Sequence, residues 1–126
     1  MISCIFFFLA AICSAIMDNL SQHWFKSKFK KFNNQWWNPE ISWKNKYING
    51  DWKNGEKHIF IYKFIKIKYP IILTDAWHFF KFLMVFCIVL ATTTYTPFLG
   101  FFIDVLLLGL VWILTFNIFY DKVLIK

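Results

Sequence analysis

Residues 70–91 read Pro-Ile-Ile-Leu-Thr-Asp-Ala-Trp-His-Phe-Phe-Lys-Phe-Leu-Met-Val-Phe-Cys-Ile-Val-Leu-Ala. As a helix rising about 1.5 Å per residue the stretch reaches roughly 33 Å, close to the hydrocarbon thickness of a bilayer. It nevertheless carries Asp75, His78 and Lys81. An ionisable group inside a span costs a few kcal/mol, so such groups face other helices, a partner charge or water. This stretch predicts a membrane helix with a polar patch and directs the reading of the rest.

The whole chain has 126 residues, enough for one unit, and is 59% apolar and 23% aromatic, with seventeen Phe and seven Trp. That exceeds what a soluble domain of this length buries, and two stretches meet the test for a spanning helix. The net charge of +7 rests on fourteen Lys with no Arg. Nucleic-acid binders use Arg for bidentate grip on phosphates and bases, so its absence points away from nucleic acid and toward a membrane surface. AT-rich coding, which enriches Lys, Ile, Phe and Asn, would give the same bias. Cys4, Cys13 and Cys87 lie in apolar runs without CxxC spacing, and neither a disulfide framework nor a zinc ribbon is expected.

Working outward, residues 2–17 are sixteen uncharged positions, somewhat short for a span. A signal peptide ending near Cys13, Ser14 and Ala15 competes with a retained helix. No basic region precedes the run, and Ile12 stands where a lipoprotein signal wants a small residue, so a retained first helix over about 2–23 is expected. Asp18, Asn19, Gln22 and His23 form its polar end. Between positions 26 and 68 lie eleven of the fourteen Lys. By the positive-inside rule this segment, 24–69, faces the cytoplasm. Trp24 to Phe32 alternates aromatics with Lys26, Lys28, Lys30 and Lys31 at roughly helical period, as an amphipathic stretch attracted to anionic lipid does. Trp36, Trp37, Asn38, Pro39, Trp43, Lys44, Asn45 and Lys46 follow in a turn-rich interfacial loop, punctuated by Asn-Pro and Asn-Gly steps, that holds four Trp within seventeen residues. Trp and Tyr favour the headgroup layer, so the loop reads as a cap on the helix ends or as a surface for a lipid or a membrane-protein partner. Residues 59–69 alternate partly and fit either a short strand or a frayed approach to the second helix.

Pro70 fits the first turn of that second helix, 70–91. Residues 92–97 contain no Lys and predict an outer hairpin, and 98–120 predict a third helix, apolar except for Asp104 and Asn117, with Gly100 and Gly109 offering close approach. Lys122 and Lys126 return the C-terminus to the basic side. The expected fold is therefore an all-α membrane protein, one domain over 1–126, with three transmembrane helices and an aromatic, Lys-rich interfacial segment between the first two. If the source is bacterial, the inner membrane is its location.

Antiparallel packing of the second and third helices offsets Lys81 and Asp104 by roughly four residues, about 6 Å, and predicts an intramembrane ion pair. Asp104 in a proton path and Lys81 snorkelling outward are the alternatives. Asp75 and His78, three apart, share a helix face, while Asp18 and His23 lie at the same end of the first helix. Together they offer oxygen and nitrogen ligands for a divalent metal such as zinc, whose bound water would attack an ester or phosphodiester. Against this, Asp18 and His23 are five apart, and Asp75 with His78 reads more simply as a hydrogen-bonded pair. The sequence contains no phosphate loop, nucleophile elbow or GxxxG, and His58 beside Lys57 is expected to be exposed.

The segments Trp37-Asn38-Pro39-Glu40-Ile41-Ser42-Trp43-Lys44-Asn45-Lys46-Tyr47, Asn49-Gly50-Asp51 and Leu73-Thr74-Asp75-Ala76-Trp77-His78 resemble a family of uncharacterised small integral membrane proteins of Bacteroidetes-type bacteria and their phages. The resemblance covers roughly residues 10–85, including Met17-Asp18-Asn19-Leu20 and His23, and departs at 57–69. It implies an integral membrane protein and no particular activity. Two readings follow: a structural or interaction protein docking its Trp- and Lys-rich loop on the inner leaflet or a partner, and a metal-dependent hydrolase of lipid or envelope substrates.

Overall fold

The computed structural model describes residues 2–62 and 64–125. Three helices dominate: α1 (Ile2–Gln22), α4 (Ala76–Thr93) and α5 (Phe101–Asn117), the last continued by a π-helical stretch at Ile118–Leu124. All three are long and apolar enough to cross a membrane when α5 and its continuation are taken together. Both α4 and α5 pack on α1, which offers a small-residue surface of fully buried Ala10, Ala11 and Ala15. Small side chains let backbones approach closely, and where apolar surface is in contact with more apolar surface this packing sets the interface. The opposite faces stay uncovered: Phe102 is 80% exposed, Leu106 69%, and Phe86 and Val89 are about half exposed. From α5 only Asp104, Leu108 and Thr115 are buried.

Between α1 and α4 the chain is a string of short turns closed by side chains. Ser27 caps the 3-10 turn Lys28–Lys31, Asn33 caps α2 (Asn34–Trp37), Asn38 caps α3 (Pro39–Ser42), and Asp51 caps the turn Trp52–Asn54. Each accepts from the amide two residues on, which is why Ser, Asn and Asp favour such positions. The expected amphipathic run at Trp24–Phe32 is two 3-10 turns rather than an α-helical face. Gly50 sits at φ 73°, a left-handed conformation that a Cβ disfavours.

The expectation of an all-α chain is corrected by an antiparallel hairpin, β1 (His58–Tyr62) with β2 (Ile65–Lys68), paired His58 to Lys68, Phe60 to Ile67 and Tyr62 to Ile65 with a bulge near His58. β-branched Ile alternating with Lys favours a strand over a helical approach. A Lys68–Glu56 ion pair of 2.6 Å closes the base. The start of the second long helix also differs from expectation. Pro70 opens the 3-10 turn Ile71–Leu73, and Asp75, with extended backbone, is the N-cap of α4. The carboxylate cap outcompetes the proline because it satisfies an orphan amide of the first turn. At the third helix the start moves from 98 to Phe101 behind Gly100 (φ 116°), and the end extends past Tyr120 to Leu124. Lys126, expected beside Lys122 on the basic side, lies outside the described residues.

The buried core gathers at the loop end of the bundle. Ala15, Ile16 and Leu20 of α1, Trp24, Ala76 and Leu124 are packed by Phe29, Trp36, Trp37 and Phe80. Ser27 pairs with Ile125 across the same end, and His23 meets the Tyr120 ring edge-on at 5.4 Å.

Candidate functional site

The loop end of the bundle is built by an aromatic cluster seated on the start of α4. Trp37 stacks on Phe29 at 4.7 Å, meets Trp36 edge-on at 5.1 Å and reaches Phe80 at 5.9 Å, while Trp36 lies 5.7 Å from Phe79. Asn45 ties this cluster down: its Nδ2 donates to the Thr74 carbonyl at 2.7 Å and to the Gln35 carbonyl at 2.6 Å, and its Oδ1 accepts from the Gln35 side-chain amide. Interfacial residues read from sequence as a separate loop are thereby fixed to the residue just before the α4 cap.

Asp75 is 4% exposed and fully engaged. Oδ1 accepts from the His78 amide at 2.9 Å, and Oδ2 meets His78 Nδ1 at 2.7 Å and the Thr74 hydroxyl at 3.1 Å. A carboxylate only accepts, so Nδ1 carries the hydrogen, and in the neutral imidazole Nε2 presents a lone pair. The pair therefore exists as a capping and hydrogen-bonding unit. It lines a cavity of about 240 Å³ whose walls include Leu20, Trp37, Trp43 and Trp77, with Ser42 alongside. His78 keeps 39% of its side chain exposed.

The four-residue metal site is not assembled. Among the described residues, no group of three or more His, Cys, Asp or Glu side chains lies close enough to hold an ion. His23 turns to Tyr120, whereas His78 turns to Asp75; the two imidazoles take separate partners. The Lys81–Asp104 pair is likewise absent among the described residues. Lys81 Nζ sits 4.9 Å over the Trp77 ring. Asp104, completely buried at the other end of the bundle, accepts from Tyr95 Oη at 2.7 Å and from the amides of Phe98 at 3.0 Å and Leu99 at 3.1 Å. The expectation assumed direct antiparallel contact of the second and third helices, but each packs on α1 instead. Asp104 also has nearer donors in the link it closes, and its hydrogen bond holds the Tyr95 phenol above its ordinary pKa.

Sequence reasoning missed the Asp104 link-closing role and the Asn45 tie. Tyr95 and Asp104 stand nine positions apart across a turn, a spacing that carries no general signal. Fully buried Asn19 was read as part of a polar helix end; neither side-chain atom of its amide has a hydrogen-bond partner among the described residues.

The segment 24–68 is not only packed inward. Phe25 is 71% exposed, Trp52 64% and Trp43 44%. Lys ammoniums rest on exposed rings, Lys30 on Phe25 at 5.8 Å, Lys31 on Phe32 at 5.5 Å and Lys44 on Trp43 at 5.6 Å, and Lys46 lies 4.9 Å over the half-buried Tyr47 ring. Comparison of the chain with protein-family models, curated proteins and solved structures gives no match.

Proposed function

We propose that this protein is a three-span membrane protein of the structural or interaction kind, whose aromatic, Lys-rich segment 24–69 docks in the anionic headgroup layer of the cytoplasmic leaflet. The observation that carries the reading is the set of exposed aromatic rings with Lys ammoniums laid across them, Phe25 with Lys30, Phe32 with Lys31 and Trp43 with Lys44. Such pairs give an apolar body to the acyl boundary and a cation to lipid phosphate, the partition that Trp, Phe and Lys make at a bilayer surface. The uncovered apolar faces of α4 and α5 support the spans, since contiguous exposed patches of this kind are stable against lipid or a partner and not against water. The bias of Lys toward 26–68 supports the cytoplasmic side. The resemblance to small bacterial and phage membrane proteins agrees with this reading.

Spin labels at positions 25 and 52 of liposome-reconstituted protein test it. The expected result is collision with lipid-soluble oxygen exceeding collision with a water-soluble nickel chelate at both positions. Labels that behave as freely hydrated at both positions would contradict headgroup docking.

A further inference from the structure

We propose that the β1–β2 hairpin is a wedge that seats its apolar face at the acyl boundary of the anionic leaflet, and this rests on the headgroup-layer reading above. Register sorts the side chains of the hairpin. Phe60 pairs with Ile67 and Tyr62 with Ile65, so these four share one face, on which the Phe60 and Tyr62 ring centroids lie 6.2 Å apart. Lys66, paired with Ile61, and Lys68, paired with His58, alternate onto the other face. All four residues of the apolar face are about half exposed, and Phe64 in the turn is fully exposed. The two strands pack chiefly on each other. A two-stranded hairpin is marginal in water, and one that presents this much apolar surface is stabilised by whatever covers it.

Charge and attachment point to lipid as that cover. Residues 58–68 include Lys63, Lys66 and Lys68 and no Asp or Glu, the complement of an anionic surface. Lys68 is tied to Glu56 at the base, where the Tyr69 amide also donates to the Lys57 carbonyl at 2.8 Å, so the hairpin is gripped at its root with Phe64 at the far end. From that root the chain reaches the α4 cap through residues 69–74, with Ile71 and Leu73 about half exposed on the way. The apolar face is thereby attached beside the start of a helix long and apolar enough to cross a membrane. The five residues of β1 extend about 17 Å, whereas a headgroup layer is roughly 5–8 Å thick, so a hairpin rooted at the interface can reach the acyl chains. Pairing of β2 edge to edge with a second copy is disfavoured, because it sets Lys66 and Lys68 among like charges.

The test is the depth of single spin labels along the hairpin in liposomes of mixed phosphatidylglycerol and phosphatidylcholine, with Cys4, Cys13 and Cys87 replaced. Labels on Phe64→Cys, Ile65→Cys and Ile67→Cys are expected to collide with lipid-soluble oxygen more than with a water-soluble nickel chelate, and a label on Lys66→Cys to show the reverse order. All four sites are exposed, so a label displaces no packed side chain. In phosphatidylcholine alone, the labels at 65 and 67 are expected to move toward water; unchanged depth would overturn the part assigned to the lysines. Chelate collision exceeding oxygen collision at 64, 65 and 67 would overturn the wedge. Low collision with both reagents at 65 and 67 would overturn it as well, since it marks a protein cover such as a second copy. Docked labels at 25 and 52 beside hydrated ones at 64 and 67 sink the wedge alone. Hydrated labels at 25 and 52 remove the headgroup-layer reading instead, so the two failures are separable.

Discussion

At the residue scale, the polar groups of the long helices act through local hydrogen bonds. Asp75→Ala removes a helix cap and the partner of His78 together, and a loss of about 2 kcal/mol is expected in reversible unfolding from mixed micelles. Asp75→Asn keeps an acceptor for the His78 amide and should lose less. Asp104→Ala leaves the Tyr95 hydroxyl and the Phe98 and Leu99 amides without their acceptor, so it should be strongly destabilising. Lys81→Met should be close to neutral in the same assay, because Lys81 rests on Trp77 and not on Asp104. Equal losses in the Lys81 and Asp104 variants, coupled in a double-mutant cycle, would restore the ion pair. Asn19 gives a prediction of opposite sign. Its buried amide has no partner among the described residues, so Asn19→Leu, similar in shape, should raise stability by about 1 kcal/mol.

At the scale of elements, the three long helices were legible because each is a near-continuous apolar run; the first, expected over about 2–23, runs Ile2–Gln22, but the starts of the second and third were not legible. Pro70 and Asp75 both carry start signals, and only the fold reveals that the carboxylate accepts from His78 while the proline opens a separate turn. The continuation Ile118–Leu124 has no composition cue, since a π-helical hydrogen-bond shift depends on packing against α1 and not on residue type. For the hairpin, alternation of Ile with Lys gave half the signal, while Lys63-Phe64 lacks the Asn-Gly type of turn that would have completed it. The metal reading failed for a related reason: same-end placement of Asp18, His23, Asp75 and His78 is a statement about height along the bundle, whereas ligation needs a common point. The hairpin closure is pH-dependent. Lys68 holds the Glu56 carboxyl below its ordinary range, so the closure is fully present above the ordinary glutamate pKa and is lost as pH falls through the lowered value. Amide exchange at Tyr69, which donates to the Lys57 carbonyl, should speed up across that acid window beyond the intrinsic trend. In the aromatic cluster, Trp37→Ala removes stacking on Phe29 and contact with Phe80, and a loss of about 3 kcal/mol is expected by the same unfolding assay.

At the scale of the whole molecule, α1 is the central element. It carries the small-residue surface on which the other two long helices pack, and its end supplies Leu20 and Ser21 to the cavity shared with Trp37 and His78. The basic, aromatic segment and the π-helical end meet at this same pole, through the Ser27–Ile125 pairing, whereas Asp104 and the 92–97 link define the other. If the helices span a bilayer, the two poles must face opposite aqueous compartments. The most direct measurement is cysteine accessibility in sealed vesicles of known orientation, in a background with Cys4, Cys13 and Cys87 replaced. Lys53→Cys and Lys122→Cys should react with a membrane-impermeant maleimide from one and the same face, the cytoplasmic one, and Thr96→Cys only from the other. Labelling of all three positions from a single face would contradict the three-span account.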